Sequence, residues 1–93
     1  MFKRKPKKEK TRIIVQYDAG FSNQVYLRGA GVPNLEWNKG IPLKNVKANE
    51  WVWETDSSFT SGEFKVLIND KTFEAGENHH IYPGTSIRIN PKF

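Results

Sequence analysis

Four side chains of this chain have the types needed to hold a polyhydroxylated ligand: Trp37 in Leu35-Glu36-Trp37, Lys65 in Glu63-Phe64-Lys65-Val66, Phe73 in Phe73-Glu74, and Asn78. Two aromatic rings, one long cation and one carboxamide fall near the ends of expected strands. Flat apolar ring faces suit the C–H faces of pyranose rings. An ammonium and a carboxamide offer directional hydrogen bonds to hydroxyls.

No comparable set points to a reaction. His79-His80 are adjacent, and neighbours on a strand face opposite ways, so the pair is poorly placed to chelate one ion. No cysteine and no third histidine is available to complete a metal site. A carboxylate pair such as Glu74 and Glu77 is common by chance, and no Ser-His-Asp arrangement is recognisable. The expectation is a binding domain without catalysis, metal or cofactor. Trp51 and Trp53 share one face of an alternating segment, the arrangement of an inward core row.

The elements that must position these residues read as β throughout. Residues 12–17 are rich in β-branched types, and residues 24–28 alternate before Gly29-Ala30-Gly31. A short segment at 41–43 contains Pro42, which confines it to an edge or a strand start. Residues 50–55 alternate with Trp51, Trp53 and Thr55 on one face. Residues 63–68 lead through an Asn69-Asp70-Lys71 turn into the short strand 72–74, a hairpin pattern. Pro83-Gly84 marks another turn, and residues 85–89 place Ile87 and Ile89 together. Trp37 sits among Pro33, Asn34, Gly40 and Pro42, a loop composition. Short strands spaced by Gly, Pro and Asn turns, with no helical run, predict a small antiparallel sandwich of about seven strands.

The bulk composition fits one domain of 93 residues. Its net charge of +5 is unevenly spread. Residues 1–12 carry seven Lys or Arg against Glu9 alone, a net +6, while residues 13–93 carry eight against nine acids, a net −1. The division expected is a basic, disordered tail over 1–11 and a near-neutral domain over 12–93. No apolar stretch follows the basic start, so export is not expected, and no run is long enough to span a membrane. Absence of cysteine fits a reducing compartment, so the expected location is cytoplasmic.

Several of these segments, in this order, resemble the starch- and glycogen-binding carbohydrate-binding modules, chiefly family 20 and its relatives. Val25-Tyr26-Leu27-Arg28-Gly29 resembles the family's early strand ending in Gly. Leu35-Glu36-Trp37 resembles its Leu-Gly-x-Trp segment. Glu63-Phe64-Lys65, followed by Phe73-Glu74 and Asn78, resembles its Glu-Tyr-Lys and Trp-Glu…Asn segments, and Trp51 falls where the family has a core tryptophan. The likeness spans residues 12–82. It implies an immunoglobulin-like sandwich in which Trp37 and Phe73 stack on neighbouring glucose rings, Lys65 and Asn78 bond hydroxyls, and Glu74 orders its strand or loop. Phe73 departs from the family's tryptophan, the tyrosine pair of its second site has no counterpart, and residues 81–93 match poorly.

The function expected is non-catalytic binding of α-1,4-linked glucan, as starch, glycogen or maltooligosaccharide. Two other classes fit the same sequence: a sandwich for protein–protein contacts that buries these aromatics in an interface, and polyanion or nucleic-acid contact through the basic tail.

Overall fold

Thr11, Ile13 and Val15 are buried while Arg12, Ile14 and Gln16 stay partly exposed. That period of two makes the first strand, β1 (Thr11–Gln16). The structure, a computed structural model, describes residues 10–93, so most of the expected tail lies outside the described residues. Within them the domain starts earlier than composition indicates. Thr11 belongs to the strand, and its hydroxyl accepts a 2.9 Å bond from the Gly84 N–H.

Eight further strands follow: β2 (Val25–Ala30), β3 (Ile41–Pro42), β4 (Lys44–Lys47), β5 (Glu50–Thr55), β6 (Gly62–Ile68), β7 (Thr72–Phe73), β8 (His79–Ile81) and β9 (Ser86–Ile89). One sheet has the order β4-β5-β1-β9. The other has β3-β2-β6, with β7 and β8 dividing the free edge of β6 between them. β7 pairs with Leu67 and Ile68, and β8 pairs with Gly62, Glu63 and Phe64. The fold is an all-β sandwich, as expected, with two strands beyond those anticipated.

Those two are β4 and β8. β4 is exposed along its whole length and carries one apolar residue, Val46, so it has no hydrophobic alternation to read. Lysines on such an edge discourage pairing with another chain. β8 is three residues long and mostly histidine. The antiparallel expectation holds for every pairing except one, because β9 lies parallel to β1. These strands sit at opposite ends of the described chain, so no hairpin turn fixes their relative direction.

The core forms where the inner faces meet. Ile13 and Val15 of β1 and Trp51 and Trp53 of β5 pack with Val25 and Leu27 of β2 and Phe64 and Val66 of β6. Both tryptophans are buried, as their shared face predicts. Gly29 lies inside β2 opposite Phe64, and a Cβ there would strike the carbonyl oxygen of Glu63. This close approach requires glycine. Leu67 is also fully buried but lies outside this cluster. It sits in register between Tyr26 and Phe73 on the other face of β6, so part of the outer face of the second sheet is covered as well.

Candidate functional site

Trp37 is carried by the connection between β2 and β3, and the local sequence dictates its shape. Leu35 N–H bonds to the Val32 carbonyl at 3.1 Å, closing a turn with Pro33 and Asn34 at its centre. Asn34 has φ of 74°, the left-handed conformation that the second central residue of a type II turn requires. Val32 and Leu35 are both buried in the core cluster and pin the turn to the sandwich. The next residue is tied too, because the Glu36 carbonyl accepts the Gly29 N–H at 3.2 Å. Trp37 therefore follows three anchored residues, and its side chain is left half-buried.

Phe73 is held by the hairpin on the far side of β6. Asn69 and Asp70 both have positive φ, 53° and 55°, and the Lys71 N–H bonds to the Ile68 carbonyl at 3.0 Å. Two consecutive left-handed residues are the signature of a tight I′-type hairpin turn. Asn69 also accepts the Gln24 N–H at 2.9 Å through its side chain. Phe73 points outward, with 45% of its surface exposed.

Arg28 joins the two aromatic segments. It stands on the outer face of β2, opposite Lys65 in register. Its Nε donates to Asp70 Oδ1 at 2.8 Å, its Nη2 to the Asp70 carbonyl at 3.0 Å, and its Nη1 to the Trp37 carbonyl at 3.1 Å. Its Cζ lies 5.6 Å from the centroid of the Phe73 ring, within the range of a cation–π contact. Asp70 closes the circuit by accepting the Gly40 N–H through Oδ2 at 3.1 Å. The Arg28 hydrogen bond holds the Asp70 carboxyl below the ordinary carboxylate range; partial burial opposes this, and the Gly40 N–H assists it. The carboxylate form is thus favoured where the clamp is made.

Lys65, Glu74 and Asn78 meet at the connection from β7 to β8. Glu74 is turned inward and is only 4% exposed. Its N–H donates to the Val66 carbonyl at 2.9 Å, and its Oε1 accepts the Val66 N–H at 2.8 Å. Val66 lies in the gap where β7 has ended and β8 has not begun, so the carboxylate stands in for the missing strand. The same oxygen lies 2.7 Å from His79 Nε2, and the His79 ring packs against Phe64 with centroids 5.0 Å apart. Glu74 therefore faces the sheet edge and orders the loop rather than presenting its carboxylate to solvent.

Lys65 extends along the outer face. Its ammonium donates to the Glu74 carbonyl at 3.0 Å and also to the Gly76 carbonyl. A lysine has three N–H donors, so these two bonds leave one for a ligand. Asn78 is exposed two residues beyond Gly76, in the same clamped loop. The structure thus brings Trp37 and Phe73 into one cluster through Arg28, and places Lys65 beside the loop that bears Asn78. His79 and His80 do not converge: His79 is turned toward Glu74, while His80 is exposed. Among the described residues no group of three or more His, Cys, Asp or Glu could hold a metal ion.

Sequence reasoning missed Arg28 and Asp70. Alternation places Arg28 outward but says nothing of its partner 42 residues away. It also missed Phe21, whose ring is fully exposed beside a cleft of about 270 Å³ lined by Asp18, Asn23, Asn45 and Trp51. That cleft shares no lining residue with the Arg28 cluster. Phe21 follows Gly20, which has φ of 78°, so the Asp18-Ala19-Gly20 punctuation was the available signal for an exposed tip. No family model and no curated protein matches the chain.

Proposed function

We propose that this domain binds α-1,4-linked glucan without catalysis, using the exposed faces of Trp37 and Phe73 as stacking platforms for neighbouring glucose units. The observation that carries this reading is the Arg28 cluster. Two partly exposed aromatic residues, Trp37 of the β2–β3 connection and Phe73 of β7, meet one guanidinium on the outer face of the second sheet, Trp37 through its main-chain carbonyl and Phe73 through its ring. Apolar faces beside directional donors are the usual composition of a site that fixes a small ligand's orientation. The remaining Lys65 N–H and the Asn78 carboxamide supply the donors for hydroxyls. The resemblance to starch- and glycogen-binding modules supports the same assignment, and the absence of cysteine fits a cytoplasmic setting.

A shallow site with two platforms binds weakly, with Kd on the order of 10 μM to 1 mM, or about −7 to −4 kcal/mol. Retention on a granule then requires repeated sites or attachment to another domain. Calorimetric titration with maltoheptaose tests the proposal, with saturable binding in this range as the expected result.

A second reading, contact with another protein, is favoured by Phe21. A large apolar ring at full exposure gains nothing for the isolated domain, and such anchors are frequent at the centres of interfaces. Maltoheptaose separates the two readings: the sugar reading requires a response at Trp37, whereas the interface reading requires none.

A further inference from the structure

We infer that Arg28 is a positioning residue that sets the separation and tilt of the Trp37 and Phe73 platforms, and thereby selects glucan chains long enough to span both. The inference rests on the sugar-binding reading and adds to it a residue that neither the sequence pattern nor the resemblance supplies.

The geometry separates Arg28 from the groups that would touch sugar. Its side chain is only 19% exposed, and three of its N–H groups are already committed to protein acceptors. Two of those bonds go to Asp70 in the hairpin that precedes Phe73, and one goes to the main chain of Trp37. The guanidinium carbon lies over the Phe73 ring, 5.6 Å from its centroid, in the same arrangement. Asp70 extends the clamp to the Gly40 N–H at the other end of the Trp37 connection. One planar cation thus ties together two segments that share no strand pairing: β2 and β6 intervene between them.

Arginine is the side chain suited to this task. Its fork presents several N–H groups in one rigid plane and stacks on an aromatic face at the same time. A lysine ammonium is a point charge on a flexible stem and does not reproduce that geometry. Holding two platforms in the bound arrangement before the ligand arrives lowers the ordering cost of binding. That saving applies to ligands that engage both platforms. Maltose, which can be held at one platform, gains little from it, whereas maltoheptaose gains fully.

The test compares wild type, Arg28→Met and Arg28→Lys, each titrated with maltose and with maltoheptaose and each followed by thermal melting. Arg28→Met keeps the apolar stem but removes every N–H. It is expected to weaken maltoheptaose binding by about tenfold or more while changing maltose binding less than about threefold. Arg28→Lys should fall between. In the ligand-free protein the Trp37 indole N–H resonance should shift or broaden in Arg28→Met, a signature that a general loss of stability does not produce. Wild-type affinity for maltoheptaose in Arg28→Met overturns the inference and leaves the sugar reading standing. Equal weakening for both sugars also overturns it, since that marks a direct contact. If Arg28→Met melts below the assay temperature, Arg28→Lys decides, and wild-type affinity there overturns the inference. A wild type that binds neither sugar overturns the sugar reading and this inference together.

Discussion

Trp37 and Trp51 are the same side chain in opposite surroundings. Trp51 faces inward on β5, is buried, and donates its indole N–H to the Tyr17 carbonyl at 3.1 Å. Trp51→Ala should therefore cost about 3–5 kcal/mol of stability. Trp37 follows the pinned Val32–Leu35 turn and is half-buried, so Trp37→Ala should leave the fold intact. It should weaken maltoheptaose binding at least about thirtyfold, or roughly 2 kcal/mol, as removal of one of two aromatic anchors commonly does. Phe73→Ala should also weaken binding, and Phe73→Trp should strengthen it by enlarging the platform. Melting temperature and calorimetric affinity, measured on all four variants, separate loss of stability from loss of binding. The difference in burial was legible in the sequence, because Pro33, Asn34 and Gly40 mark a loop around Trp37 while Trp51, Trp53 and Thr55 share one strand face. The role of Glu74 was legible in part. Its place beside Phe73 was visible, but its inward turn depends on where β7 stops, which local pattern does not specify.

At the scale of elements, the weak point of the second sheet is the gap on β6 between β7 and β8. Val66 N–H is buried there, and Glu74 is its acceptor. Glu74→Ala leaves that donor unpaired and should destabilise the domain by about 1–3 kcal/mol. Glu74→Gln retains an acceptor oxygen and should cost less. Chemical denaturation of the two variants checks the order, and equal losses would show that His79, not Val66, is the important partner. A second element-level prediction concerns Gly29, where a Cβ would strike the Glu63 carbonyl across the β2–β6 ladder. Gly29→Ala should cost about 1–3 kcal/mol by forcing the strands apart. The longer strands were readable because β2, β5 and β6 carry an alternating pattern and β1 is rich in β-branched residues. β4 and β8 were not, because a strand of three or four residues with a single apolar residue leaves no periodic signal.

At the scale of the whole molecule, charge decides what kind of ligand the domain suits. Residues 12–93 carry nine Lys or Arg and nine acids, a net charge of zero, so the domain offers no net attraction for a polyanion. Binding of a neutral glucan releases few counterions, and its affinity should change less than about threefold between 50 and 500 mM salt. The clamp that organises the site has its own pH dependence. The folded pKa of Asp70 is depressed, so its contribution is fully present above the unfolded value and is lost as pH falls through the lower folded value. The difference in melting temperature between wild type and Asp70→Asn should hold steady down to about pH 4 and shrink below it. A gap that closes instead near neutral pH would assign the effect to another group.

The most direct measurement of the central claim is a titration with maltoheptaose followed through the three tryptophan indole N–H resonances. The Trp37 signal should move and saturate with Kd on the order of 10 μM to 1 mM. The signals of Trp51 and Trp53, both buried in the core, should stay in place. In Trp37→Ala no remaining signal of the protein should show saturable shifts, and in Phe21→Ala, whose ring belongs to the separate cleft, the Trp37 shift should persist. Absence of any saturable shift would contradict the account, and so would a response that survives Trp37→Ala but is abolished by Phe21→Ala.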